Sequence, residues 1–128
     1  MKIISVLIIE PEQILQYVND RFLTAGTSIQ VKQTAAIENA ICLAEKKYFD
    51  MILFDYSWEY YESIKKQIAT AKEVSMNKNI ICAWQYTFIT EIQLDSLIKN
   101  NELAVSKPLT PTGIYRLYGQ ATDPVQPE

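Results

Sequence analysis

Ile3-Ile-Ser-Val-Leu-Ile-Ile9 is followed at once by Glu10-Pro11-Glu12, and this junction decides how the chain is read. The run is rich in β-branched residues and shows no alternation of polar and apolar positions, as expected of a strand buried on both faces. Proline tolerates the first turn of a helix, where its missing N–H is not needed, so Glu10-Pro11 opens one. Ile14, Leu15, Val18, Phe22 and Leu23 follow at helical spacing, and Gly26 closes the helix. The next stretches repeat the pattern. Ile29 to Gln33 reads as an edge strand, Ile37, Ala40, Ile41 and Ala44 mark a helix, and Phe49 to Phe54 is a second buried strand ending on Asp55. Trp58 to about Val74 is helical on a Tyr61, Ile64, Ile68, Ala71 stripe. Asn79 to Trp84 is a strand, Ile89 to Ile98 a helix, and Leu103 to Ser106 a short strand before Lys107-Pro108. Thr110-Pro111 caps a last helix carrying Ile114, Leu117 and Tyr118, and the residues from Gly119 onward read as a flexible tail.

Five strands alternating with five helices require a parallel sheet covered on both faces, since each crossover is right-handed. In such sheets the site lies beyond the carboxyl ends of the strands. Glu10, Asp55, Trp84, Gln85 and Lys107 are the residues to examine there. Two close carboxylates repel, and a lysine or a hard divalent ion such as Mg²⁺ relieves the repulsion. Such a constellation suits handling of a phosphoryl group; as a purely structural ion pair it would cap the sheet.

The chain has 128 residues, enough for one domain. Twelve Lys and Arg against fifteen Asp and Glu give a net charge of −3, which argues against a nucleic-acid or anionic-membrane binder. The absence of histidine removes Ser-His-Asp and Cys-His chemistry and His metal sites. Cys42 and Cys82 have no CxxC spacing and read as two buried, reduced thiols. The first apolar run is too short for a signal peptide or a membrane span, so a soluble, cytoplasmic protein is expected.

Val6-Leu-Ile-Ile-Glu10, Tyr48-Phe-Asp-Met-Ile-Leu-Phe-Asp55 and Ser106-Lys107-Pro108-Leu109 resemble, in order and spacing, the three signatures of response-regulator receiver domains. The resemblance spans residues 3–118. It implies a flavodoxin-like, doubly wound sheet in the order 2-1-3-4-5, with a receiver-like domain over 1–118 and a tail over 119–128. Asp55 then matches the phosphoacceptor. Lys107 matches the lysine that pairs with the carboxylate and its phosphate, Pro108 the following proline, commonly cis, and Glu10 the first of two acidic Mg²⁺ ligands.

The departures from the family pattern are equally specific. The second acidic position is Pro11, which carries no ligand oxygen. The Ser or Thr that ends the fourth strand falls on Trp84, or with a one-residue slip on Gln85, and the aromatic switch position of the fifth strand falls on Ala104. Weak Mg²⁺ binding at Glu10 and Asp55 is therefore expected, with phosphorylation weak, slow or absent, and Trp84 is placed to fill the phosphate's space. The expected output is protein–protein contact, with a histidine kinase or a downstream adaptor as partner. Trp58, Tyr60 and Tyr61 after the Asp55 loop, and Ile89, Ile92, Tyr115 and Tyr118 on the last two helices, are candidate contact residues; the alternative is that part of each group packs inward, which is the preferred reading for the three aromatics after the loop. A monomer and a weak homodimer fit equally well. A conventional phospho-accepting regulator is the alternative. A flavin or nucleotide enzyme on the same fold is disfavoured, because Glu10-Pro11-Glu12 offers no glycine-rich phosphate cradle.

Overall fold

The computed structural model describes residues 2–122. Strands β1 (Ile4–Ile9), β2 (Ile29–Thr34), β3 (Met51–Asp55), β4 (Ile81–Tyr86) and β5 (Leu103–Ser106) alternate with helices α1 (Gln13–Thr24), α2 (Ile37–Lys46), α3 (Tyr61–Val74), α4 (Glu91–Lys99) and α5 (Pro111–Thr122). The strands form one parallel sheet in the order β2-β1-β3-β4-β5. The absence of alternation in β1 and β3 has a plain cause: side chains on both faces are buried. Val6, Ile8, Met51 and Leu53 join Leu23, Ile114 and Leu117 under α1 and α5. Leu7, Ile9, Ile52 and Phe54 join Ala40, Ala44, Ile64 and Leu97 under α2, α3 and α4. Each strand therefore feeds two cores, and burying apolar surface on both sides is the main force holding the sheet.

Several boundaries differ from the sequence reading. α1 starts at Gln13, with Glu12 rather than Pro11 at its N-cap position. Its buried residues are Asn19 and Leu23, whereas Ile14 and Phe22 lie outside at 78% and 67% exposure. The helix is turned so that Asn19 Nδ2 can donate to Gln33 Oε1 on β2 (3.0 Å), a polar contact that hydrophobic periodicity does not register. α3 begins at Tyr61, so Trp58 and Tyr60 belong to the loop before it. β4 is displaced two residues toward the C-terminus. Asn79 belongs to a turn in which its N–H donates to Asn77 Oδ1, while Asn77 Nδ2 donates to Phe49 O. α4 is opened by a capping box between Thr90 and Gln93, and Thr110 Oγ1 accepts from the Gly113 N–H at the start of α5. α5 runs on to Thr122, so residues 119–122 of the expected tail are helical; the remainder of that tail lies outside the described residues. Cys42 is exposed and Cys82 is half-buried, its thiol pushed up to about 11 by that burial, with Lys72 pulling the other way. Among the described residues no helix is long and apolar enough to cross a membrane.

Candidate functional site

The sheet register builds the site. Asp55 pairs with Gln85, and continuing the β1–β3 register brings Glu10 level with Asp55. Glu10, Asp55 and Gln85 thus form one row across the carboxyl ends of three strands. Lys107, just past β5, reaches over this row. Its Nζ lies 2.9 Å from Glu10 Oε1 and 2.6 Å from Asp55 Oδ1. The two carboxylates are not equivalent. The side chain of Glu10 is 2% exposed and that of Asp55 43% exposed. Burial alone would lower the pKa of Lys107, but hydrogen bonds and charge from Asp55 and Glu10 outweigh it, so the ammonium is held above its ordinary value. The Lys107–Pro108 peptide is cis.

Two side-chain amides fix the β1–α1 turn that carries Glu10. Gln85 Nε2 donates to Ile9 O and Gln16 Nε2 donates to Glu10 O, each at 2.6 Å. To reach β1 from β4, the Gln85 side chain must cross β3 beside Asp55. Donation to a carbonyl fixes the orientation of its amide, which leaves Gln85 Oε1 as the one buried side-chain polar atom without a partner among the described residues.

Trp84 does not enter this row. Neighbouring strand residues face opposite sides of the sheet, so its indole is buried at 2% exposure among the residues under α3 and α4. Its Nε1–H donates to Glu102 Oε1 (3.0 Å), at the amino end of β5 and away from Asp55. The second oxygen of Glu102 accepts a short hydrogen bond from the Tyr61 hydroxyl. Tyr61 stacks on Trp84 at 5.4 Å, and Tyr56 meets Trp84 edge-on at 5.5 Å. Burial, then the Glu102 hydrogen bond, pushes the Tyr61 phenol up to about 12. The expectation that Trp84 fills the space above Asp55 is therefore corrected: the indole packs sideways. Ala104 is its direct cross-strand partner, so the bulk that the family resemblance places on β5 is supplied here from β4. Ala104 in turn lines a groove of about 580 Å³ beside Leu94, Leu97 and Arg116.

The four residues suggested by sequence as one contact surface are not gathered. α4 and α5 lie on opposite faces of the sheet and meet at its β5 edge, but none of the four lines the groove that Leu94 and Leu97 share there with Arg116. Tyr115 accepts a hydrogen bond from the Ser28 N–H next to α1, and Tyr118 lies under the Lys2 ammonium. Ile89 packs against the core under α4, and only Ile92 is fully outside, at 82% exposure. Sequence reasoning missed Glu102 and Gln16 altogether; neither lies at the carboxyl end of a strand, and no spacing marks them.

A divalent metal fits this donor set poorly. The Glu10 and Asp55 carboxylates already share Lys107, Pro11 offers no oxygen from its side chain, and Gln85 contributes only a neutral acceptor. Glu12 is exposed, and only its backbone N–H turns to Glu10, at 3.3 Å from Oε2. Among the described residues no group of three His, Cys, Asp or Glu side chains converges.

No family model matches the sequence, and no curated protein does. Solved structures do match. They include a two-component response regulator from Cytophaga hutchinsonii, with TM-score 0.71 and 21% identity, covering 97% of this chain and 100% of that one. A CheY-like response-regulator receiver domain protein from Methanospirillum hungatei JF-1 matches with TM-score 0.66 and 12% identity over 93% of each chain. An orphan response regulator of H. pylori matches with TM-score 0.65 and 16% identity, covering 92% of this chain and 96% of that one. The fold is thus that of the response-regulator receiver domain.

Proposed function

We propose that this chain is a receiver-like module of two-component signalling that works by protein contact, with phosphorylation of Asp55 weak or absent. One observation carries the reading: the Lys107 ammonium is already shared by two carboxylates, the buried Glu10 and the half-exposed Asp55, so the three together keep a net charge of −1. A phosphoryl group arriving at Asp55 brings further negative charge to a row with one available cation and no small hydroxyl donor, since Trp84 and Gln85 occupy the positions where one is expected. The partner is a histidine kinase or a downstream adaptor, the setting is cytoplasmic, and the chain acts as a monomer or a weak homodimer.

A conventional phospho-accepting regulator is the second reading. It is favoured by Asp55 itself, whose Oδ2 has no hydrogen-bond partner among the described residues and whose half-exposed side chain lies beside Lys107. Intact-mass analysis after incubation with Mg²⁺ and acetyl phosphate, beside an Asp55→Asn control, separates the two. The expected result is no gain of a phosphoryl mass in either protein. A gain in the native chain alone would establish the conventional reading and remove the first.

A further inference from the structure

Every helix of this fold starts at the carboxyl end of the sheet, and the chain's charge is distributed accordingly. The segments at that end are 10–14, 34–38, 55–62, 86–92 and 106–111. They hold seven carboxylates against one ammonium, Lys107. They therefore carry −6 in a chain whose total is −3, and the rest of the chain is +3. Five of the acids, Glu12, Glu38, Glu59, Glu62 and Glu91, are exposed. Part of this polarity is local. Glu38, Glu62 and Glu91 lie in first helical turns, and Arg21, Lys46, Lys72 and Lys99 lie in last turns, as the helix dipole favours.

The dipole does not account for the apolar residues at the same end. Ile14, Trp58, Tyr60, Phe88 and Ile92 ring the Asp55 site at 78%, 62%, 59%, 83% and 82% exposure. They come from three separate segments, so no single helix stripe explains them. Other large apolar side chains are exposed elsewhere, but the three most exposed among the described residues, Phe88, Ile92 and Ile14, all lie at this end, and Trp and Tyr are the residue types that anchor protein contacts.

We infer that this carboxyl-end face docks a cationic, apolar segment of a partner protein: an amphipathic helix bearing Lys or Arg. Charge complementarity selects this occupant. A face at −6 repels nucleic acid, anionic lipid and the phosphate of a donor, and attracts a basic segment whose apolar side chains the ring can cover. Asp55 Oδ2, which has no hydrogen-bond partner among the described residues, gives one of its cations a carboxylate partner at this end of the sheet. The inference rests on the reading of the chain as a contact module and names the chemistry of the contact.

The test is a titration of the isotopically labelled protein, followed by backbone amide shifts, with two synthetic amphipathic peptides of about five helical turns. One is built of leucine and lysine, the other of leucine and glutamate. The lysine peptide is expected to shift amides of residues 12–14, 55–62 and 87–92, to weaken as salt is raised, and to lose about tenfold in affinity to Glu59→Lys/Glu91→Lys. A Trp58→Ala/Phe88→Ala variant, altered only at exposed positions, is expected to lose affinity as well. Equal binding of both peptides, shifts confined to other faces, indifference to the charge reversal, or no binding would each overturn the inference. The titration uses no phosphoryl donor, so its outcome is independent of the intact-mass result.

Discussion

Replacing Lys107 by Met would remove the only cation among the described residues that reaches Glu10. The Glu10 side chain is 2% exposed, and its one other polar partner among the described residues is the Glu12 N–H, at a long 3.3 Å, so water cannot substitute for the ammonium. Breaking a buried pair by removing one member costs about 3–5 kcal/mol, chiefly the cost of a buried charge left alone. For a domain of this size about 1 kcal/mol moves Tm by roughly 3–5 °C, so Lys107→Met is expected to melt about 10–20 °C lower. Asp55→Asn is the internal control. Its side chain is 43% exposed, water can take over its contacts, and the loss stays within about 1 kcal/mol. The decisive variant is Glu10→Gln/Lys107→Met, in which both buried charges are gone. It is expected to regain most of the loss, because a neutral pair carries no uncompensated charge. Chemical denaturation of the four proteins at neutral pH measures this directly. If Lys107→Met is as stable as the wild type, or the double variant no better than the single, the assignment of Lys107 as counter-ion of Glu10 is wrong.

Three further outcomes follow from the same geometry. Because the folded-state pKa of Lys107 is raised, its contribution is full below the ordinary lysine value and is lost as pH climbs through the folded one; the stability gap between wild type and Lys107→Met is expected to hold from pH 7 to about 10 and then close. Glu102→Ala strands a buried indole N–H and the Tyr61 hydroxyl, costing about 2–4 kcal/mol, and Trp84→Phe in the same chain should reduce that cost by about 1 kcal/mol or more in a double-mutant cycle; additivity would rule out the coupling. Alkylation near pH 8 followed by peptide mapping is expected to label the exposed Cys42 rapidly and Cys82, held near 11, slowly; equal rates would contradict the burial of Cys82.

The class of fold, the two central strands and the identity of Glu10, Asp55 and Lys107 are legible in the chain itself. Apolar runs without regular alternation that each end on a carboxylate mean strands buried on both faces, and alternation with helices forces those ends to one side. That argument is local in sequence, and it survives small errors in element boundaries. What the chain could not reveal depends on rotation and register. Whether Ile14 or Asn19 faces the core turns on a single polar contact with Gln33. Whether Trp84 stands over Asp55 or packs sideways turns on strand parity and on Glu102, 18 residues further on. The unequal burial of Glu10 and Asp55, and the amides of Gln16 and Gln85 that clamp the turn between them, likewise arise only when separate strands are brought level. Sequence pattern determined which residues gather at the carboxyl ends. Only the packing of the sheet decided which of them are buried, which are paired and which are left to meet a partner, because burial and hydrogen bonding belong to neighbours in space.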